Sequence, residues 1–170
     1  MDDVRIRRAT VGDAAELVAT YHNAYRENRR LGFPAKAETV TEDEVVEWIR
    51  NHRVYVAVLG ADTGEEGDGA ESGCGEVVGG VRLESTDPGR MKLSRLGVHE
   101  QCQGAGIGTA LLNRAEAVAR DAGIETVWLT TPEDHPYLPD LYRRREYEGT
   151  GRYPLEYREY DEIVMEKELG

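Results

Sequence analysis

A chain of 170 residues can bury one substantial hydrophobic core, so we expect a single domain spanning residues 1–170. Its net charge of −12 and pI near 4.8 disfavour binding to nucleic acid, which a negatively charged surface repels. No stretch approaches the ~20 apolar residues of a membrane span. The N-terminus, MDDVRIRRAT, has no apolar signal core. We therefore predict a cytoplasmic protein that binds neither membrane nor nucleic acid.

The numbers and positions of cysteine, histidine and lysine further narrow the class of protein. Cys74 and Cys102 form no CxxC pair and the histidines are scattered, so neither a disulfide framework nor a metal site is expected. The lysines are Lys36, Lys92 and Lys167, and all other basic residues are arginine. An acidic, lysine-poor composition favours solubility in strong salt and indicates a halophilic protein. An ordinary acidic cytosolic protein is the alternative.

The first third of the chain carries one strand signal and two helix signals. VRIRRA, at residues 4–9, is typical of a short strand. Thr10 with Asp13 and Thr41 with Glu44 match the capping box that opens helices. Apolar residues then recur at helical spacing, in the sets Ala14, Leu17, Val18, Tyr21, Tyr25 and Val45, Trp48, Ile49.

The middle of the chain predicts an antiparallel meander. RVYVAVL, EVVGGVRLE and MKLSRLGV are strand-like runs, and TDPG forms a turn between the last two. The segment GADTGEEGDGAESGCG, at about 60–75, is acidic and rich in glycine. We predict that it is a flexible hairpin loop rather than a domain linker.

The last third returns to helix–strand alternation. A helical pattern from Ile107 ends at Gly123, a suitable residue just past a helix end. ETVWLTT predicts a strand, YLPDLYRRREY a short helix and EIVMEKEL a final strand. The whole pattern indicates an α/β (α+β) domain with a mixed, mostly antiparallel central sheet flanked by helices.

Three glycines, Gly104, Gly106 and Gly108, stand at the mouth of the helix that begins at Ile107. Free N–H groups at a helix N-terminus attract anions, and glycines let phosphate oxygens approach the backbone closely. No lysine follows as a Walker A loop requires, and the spacing is not the dinucleotide Gly-x-Gly-x-x-Gly. The structural alternative is a flexible turn without a ligand.

Gln101-x-x-Gly104-x-Gly106, followed by Ile107-Gly108 and an apolar helix, resembles the acyl-CoA motif of the GNAT superfamily of N-acetyltransferases. LYRRREYEGTGR resembles the family's late Leu-Tyr-x-x-x-Gly-Phe signature, with Glu146 in place of the glycine. The resemblance runs from about residue 5 to 169. It implies the GNAT fold, acetyl-CoA as cosubstrate and no metal, and the composition suggests a member of haloarchaeal type.

By this resemblance, coenzyme A binds at two places. Its pyrophosphate contacts the backbone N–H groups from Gln103 to Thr109, and its pantetheine arm pairs with the strand around Gly97. The implied cofactor-binding residues are Leu96, Gly97, Val98, Gln101, Gln103, Gly104, Ala105, Gly106, Ile107, Gly108, Thr109 and His135. His135 stands where the family often has a cofactor-contacting asparagine, and Gln103 where an arginine is common.

The resemblance also implies the chemistry, in which a neutral amine attacks the thioester directly in a ternary complex. Tyr142 matches the family's tyrosine, which donates a proton to the departing thiolate as general acid. Glu84, at a strand end, is a tentative general base acting directly or through water. The rival candidates are Glu133, His135 and Tyr137.

The acceptor is left open by the sequence. The family builds its acceptor pocket from the first two helices, their connection and the final strands, here YRENRRLGFPAKAETV and TGRYPLEYREYDE. The tyrosines and carboxylates of the second segment suit a cationic amine. A small amine, an amino acid, a protein N-terminus and a lysine side chain remain candidates for the acceptor. A homodimer is a possible assembly. The alternative function is a non-catalytic acyl-CoA-binding sensor or interaction module.

Overall fold

The computed structural model describes residues 4–33, 36–60, 76–153 and 161–169. Within these ranges the strands are β1 Val4–Arg8, β2 Arg53–Leu59, β3 Glu76–Asp87, β4 Arg90–Val98, β5 Thr126–Pro132, β6 Glu148–Tyr153 and β7 Glu162–Glu168. They form one sheet in the order β1-β2-β3-β4-β5-β7-β6. Only β4 and β5 pair in parallel, the other neighbours being antiparallel. The predicted mixed, mostly antiparallel α/β sheet flanked by helices is confirmed.

The helices cover both faces of this sheet. They are α1 Ala14–Arg30, α2 Glu42–Asn51, α3 Ile107–Asp121 and α4 Leu138–Arg144. α1 and α2 bury their apolar residues against Val54, Val56 and Val58 of β2. α3 packs on the opposite face, where its buried residues meet Leu93 of β4 and Leu129 of β5. No helix in the described part of the chain is both long and apolar enough to cross a membrane.

Both predicted capping boxes are present. The Thr10 backbone N–H donates to Asp13 Oδ2 at 2.7 Å, and the box precedes a short 3-10 turn that leads into α1. The Thr41 N–H donates to Glu44 Oε1 at 2.9 Å, and Glu44 N–H donates back to Thr41 Oγ1 at 3.2 Å. These bonds satisfy N–H groups that a helix start otherwise leaves without partners.

The predicted end of the third helix is confirmed, but the last helix is shorter than its pattern suggested. α3 ends at Asp121, and Gly123 follows with a left-handed φ of 79°. α4 ends at Arg144 because the chain turns sharply at Glu146, whose φ is 76°. β6 then begins at Glu148, within a stretch that the sequence pattern did not mark as a separate strand.

Two predicted features lie largely outside the described residues. Of the predicted flexible loop at about 60–75, only Gly60 is described. Of the candidate acceptor segment, Tyr157 and Tyr160 with Glu156 and Glu159 fall in 154–160, beyond the description.

Candidate active site

A cleft opens in the middle of the sheet, where β4 and β5 separate. The two strands pair only through Arg90–Thr126, Met91–Val127 and Lys92–Trp128. Beyond Lys92 they diverge, and a cleft of about 770 Å³ lies between them. Its walls are the second half of β4, the glycine turn with the start of α3, the end of β5, α4 and part of α1. Cleft size and position suit a small-molecule ligand.

β4 contains a bulge on the wall of this cleft. Gly80 pairs with Gly97 and Arg82 with Ser94, so β4 holds one residue more than β3 over this span. Arg95, within the bulge, has a left-handed φ of 55°. Such bulges re-aim side chains and are frequent beside active sites.

Two tyrosines of α1 hold the bulged backbone. The Tyr21 hydroxyl donates to the Arg95 carbonyl at 2.7 Å, and the Tyr25 hydroxyl donates to the Leu96 carbonyl at 2.6 Å. Burial raises the pKa of both phenols, that of Tyr25 to about 12. The two phenols therefore remain protonated donors, and α1 fixes the shape of the cleft wall.

Gly97 allows α1 to approach β4 this closely. A Cβ atom at Gly97 would lie 3.1 Å from Tyr25 Cε2 and 3.2 Å from both Ala24 Cβ and Tyr21 Cδ1. These contacts are tighter than a packed side chain tolerates without movement. The close approach of α1 therefore explains why a glycine stands at this position of β4.

The glycine turn leaves a row of backbone N–H groups without acceptors. Gly104 and Gly106 have left-handed φ values of 86° and 84°, and a Cβ at either would meet nothing within 4 Å. Ala110 N–H makes the first hydrogen bond of α3, to Gly106. In the described part of the chain, the N–H groups from Gly104 to Thr109 find no acceptor.

This turn fits the pyrophosphate of coenzyme A. The N–H groups at the start of a 15-residue helix present positive partial charge, and the space beside Gly104 and Gly106 is open. Gln103 is not part of the row, since its N–H lies 3.4 Å from the Glu100 carbonyl. Its side-chain amide instead donates to the Val98 carbonyl at 3.2 Å and ties the turn to β4.

Tyr142 lies on α4 at the other side of the cleft. Its ring is buried and packs edge-on against Tyr147 at 5.7 Å between ring centres. Its hydroxyl finds no hydrogen-bond partner within the described ranges. Burial raises the pKa of Tyr142 far above its usual 10, and the nearby Tyr25 adds to this effect. The hydroxyl is therefore protonated at every working pH and available to a ligand.

Glu84 and His135 are among the predicted site residues that do not line the cleft. Glu84, on β3, accepts a hydrogen bond from the Arg82 guanidinium at 3.2 Å. His135 is buried beside Tyr137, and its Nδ1 accepts the N–H groups of Tyr137 and Leu138, both at 3.2 Å, at the start of α4. Burial lowers the pKa of His135, so the ring is neutral. Its place in the structure is that of a helix cap.

The other predicted residues fall into two groups, those that line the cleft and those that do not. Those that line the cleft are Leu96, Gly97, Val98, Gln103, Gly104, Gly106, Ile107, Gly108, Thr109, Tyr137 and Tyr142. Gln101, Ala105 and Glu133 are not among the lining residues. The Tyr137 hydroxyl is engaged, because it donates to Glu27 at 2.7 Å.

Among the described residues, five charged side chains line the cleft that the sequence analysis did not single out: Glu27, Lys92, Arg95, Arg144 and Glu162. Glu162, at the start of β7, is only 9% exposed. Polar residues at alternate positions of β4, Arg90, Lys92 and Ser94, were the available signal, since they mark a polar face on a strand inside the sheet. The bulge at Arg95 had no signal in the sequence.

Solved structures with the same architecture are acetyltransferases. The structure of yncA from Salmonella typhimurium, with its cofactor acetyl-CoA, has a TM-score of 0.72 at 21% identity, covering 99% of this chain and 95% of that one. The ribosomal-protein-S18-alanine N-acetyltransferase from Escherichia coli also has a TM-score of 0.72, at 14% identity and the same coverage. At these identities the likeness establishes the fold.

Sequence comparison establishes the family. The profile of the acetyltransferase (GNAT) family matches residues 18–147, so the chain belongs to this family, as the motifs predicted. An acetyltransferase of Pectobacterium atrosepticum is 34% identical over 91 residues, which cover 51% of this chain. The match spans 64% of that relative, slightly less than two thirds of its length. The resemblance to a haloarchaeal member stays a prediction.

Proposed function

We propose that this protein transfers an acetyl group from acetyl-CoA to a primary amine by direct attack in a ternary complex. One observation carries the proposal: the cleft joins the N–H groups at Gly104–Thr109 to the hydroxyl of Tyr142, and neither has a hydrogen-bond partner among the described residues. An anion site at one end and a proton donor at the other match a substrate with a pyrophosphate and a thiolate leaving group. Membership of the GNAT family supports acetyl transfer in general.

The exposed backbone of β4 would hold the pantetheine arm. In the described ranges β4 has no partner on the β5 side beyond Lys92, and Leu96 and Val98 line the cleft there. Their carbonyls already accept bonds from Tyr25 and Gln103. A carbonyl oxygen has two lone pairs, so each can accept a second donor. A backbone N–H of this segment would polarise the thioester carbonyl as an oxyanion hole does.

Tyr142 would act as the general acid. The amine nitrogen forms a bond to the thioester carbon, the carbon–sulfur bond breaks, and the sulfur leaves as a thiolate. The Tyr142 hydroxyl supplies the proton that the thiolate takes up, and the proton that the nitrogen loses as it becomes an amide restores the phenol. Because no group in the described part of the chain occupies this hydroxyl, the substrate's sulfur need not displace an existing hydrogen bond.

For the general base, position favours Glu162 over Glu84. Glu162 lines the cleft, whereas Glu84 lies outside it and pairs with Arg82. A base must lie within hydrogen-bond reach of the ammonium, directly or through one water. Glu84 would need a water to reach it. Comparing the pH dependence of kcat/KM in Glu162→Gln and Glu84→Gln distinguishes them, because the acidic limb disappears only when the base is removed.

Calorimetric titration with acetyl-CoA, CoA, NAD and ATP, at low and at molar salt, tests the proposal first. Saturable binding of acetyl-CoA and CoA alone is expected, followed by thiol release in the presence of amines. Preference for NAD or ATP, or no binding in either salt, would refute it. CoA binding without turnover of any amine would favour the non-catalytic acyl-CoA-binding module. The cytoplasmic location, salt adaptation and dimerisation stay predictions from the sequence.

A further inference from the structure

Two arginines converge on one indole ring beside the cleft. The Arg82 guanidinium carbon lies 4.8 Å from the centre of the Trp48 ring, and that of Arg95 lies 5.3 Å from it. Arg82 comes from β3 and Arg95 from the bulge of β4, while Trp48 belongs to α2. Like charges repel, so this convergence is stable only with negative charge nearby or with strong packing.

Among the described residues, Arg82 has hydrogen-bond partners and Arg95 has none for its side chain. Arg82 donates to Ser94 Oγ and to Glu84 Oε1, both at 3.2 Å. Arg95 makes neither an ion pair nor a side-chain hydrogen bond inside the described ranges, and its buried Nε has no acceptor there. A buried donor without an acceptor is costly, which points to a missing anion.

Lys92 is a second cation that faces the cleft. Its ammonium lies 5.1 Å from the centre of the Trp128 ring and has no carboxylate partner in the described part of the chain. Burial lowers the pKa of Lys92, although the carboxylate of Glu84 opposes the effect. Lys92 and Arg95 both line the cleft, from the strand that would carry the thioester.

The backbone conformation of Arg95 also supports an anion-binding site at this position. A left-handed φ of 55° suits glycine and strains an arginine. The Tyr21 hydroxyl holds this conformation through the Arg95 carbonyl. Residues kept in strained conformations cluster at ligand-binding sites. Here the strained position places a guanidinium on the face of the sheet covered by α1 and α2.

The local charge balance differs from that of the whole protein. Three cations, Arg82, Lys92 and Arg95, face two carboxylates, Glu84 and Glu162, in a chain whose net charge is −12. Both carboxylates have contacts within the chain, that of Glu84 being an ion pair with Arg82. A positive site in a strongly negative protein selects an anionic group and disfavours a simple polyamine.

We propose that the acceptor amine also carries an anionic group, a carboxylate or a phosphonate, which Arg95 and Lys92 bind beside the cleft. The acceptor class is then that of free amino acids and their phosphonate analogues. The ammonium end would lie toward Glu162 and the anionic end toward Arg95. This inference rests on the proposed acetyl transfer and narrows its substrate.

Matched substrate pairs test it. Each of the common L-amino acids would be compared with its amide, in which the carboxylate becomes a neutral group, and with an aminophosphonate where one exists. Thiol release would be measured with acetyl-CoA at saturation. We expect kcat/KM to favour the acid over the amide at least about tenfold for the best substrate, since charge-assisted bonds are the strong ones.

Variants at Arg95 separate binding from folding. Arg95→Gly relaxes the left-handed backbone while removing the guanidinium, so it should fold, and it should bring the acid-to-amide ratio close to one. Arg95→Lys should retain part of the preference. Arg143→Gln, an exposed arginine paired with Asp140, is the matched control and should change nothing. CoA affinity should be the same in all of them.

The outcomes distinguish this inference from the proposal beneath it. If CoA binds and amides are acetylated as fast as acids, the inference is wrong and acetyl transfer stands. An unchanged preference for acids in Arg95→Gly would also overturn it. So would an enzyme that binds CoA but acetylates neither an amino acid nor an aminophosphonate. If CoA does not bind at all, both fail together, and calorimetry detects that before any substrate is added.

Discussion

Replacing Tyr142 by Phe removes one oxygen atom, that of the hydroxyl, and so tests its role alone. The ring is buried and packs against Tyr147, and phenylalanine preserves that packing. The hydroxyl has no partner in the described residues, so its removal breaks no bond within them, and the free energy of unfolding should change by about 1 kcal/mol or less. If Tyr142 protonates the thiolate, turnover should fall at least about tenfold, because general acids contribute about 10²–10⁴.

The assay measures thiol release and, separately, CoA binding by calorimetry. Tyr147→Phe is the matched control in the same aromatic pair. The Tyr147 hydroxyl donates to buried Glu116 at 2.9 Å, so this variant should lose about 1.5–3 kcal/mol of stability while keeping its turnover. Unchanged turnover in Tyr142→Phe, at equal CoA affinity, would refute the assignment of Tyr142 as general acid.

Four further outcomes follow from individual contacts. The side chain of Glu116 is 4% exposed and accepts a hydrogen bond from Lys167 Nζ at 2.9 Å. Glu116→Ala should lower the free energy of unfolding, measured in urea, by about 3–5 kcal/mol, and a loss below about 1 kcal/mol would contradict this. Glu146→Gly should raise stability by about 0.5–1 kcal/mol, because φ at 146 is left-handed; a loss would show that the turn has other support. Gly106→Ala should weaken CoA binding measurably and lower stability, since a left-handed φ of 84° strains alanine and shifts the turn; unchanged affinity would remove the turn from the phosphate site. Burial lowers the pKa of His135, so the unfolded chain binds more protons and stability should fall as pH drops below about 6.5; His135→Gln should flatten this fall in a pH series of unfolding curves, and an equal slope would argue against it.

The sequence predicted the elements whose signals are local. Capping boxes need residues three apart, and both were found at Thr10 and Thr41. The glycine turn is equally local, because its function lies in backbone N–H groups that the glycines leave accessible. The late helix was predicted too long, since apolar spacing continues past Arg144 while the left-handed turn at Glu146 ends it.

The charged part of the cleft could not be predicted in the same way. The bulge at Arg95 arises from the register between β3 and β4, which depends on pairing across the sheet and not on neighbouring residues. Glu162 lines the cleft because β7 pairs between β5 and β6, and this pairing joins segments that are distant in the sequence. Glu84 was proposed from its place at a strand end, but a bond with Arg82 occupies its carboxylate.

The α1 helix connects the fold to the proposed chemistry. Its two tyrosines donate to consecutive carbonyls, those of Arg95 and Leu96, and its close packing requires the missing side chain of Gly97. The bulge therefore turns the Arg95 side chain toward α2 and leaves the next residues to line the cleft. A single interface of α1 with β4 thus shapes both the wall for acetyl-CoA and the cationic site proposed for the acceptor. Selectivity for the acceptor and affinity for CoA should then change together when α1 shifts, but separately when Arg95 alone is replaced.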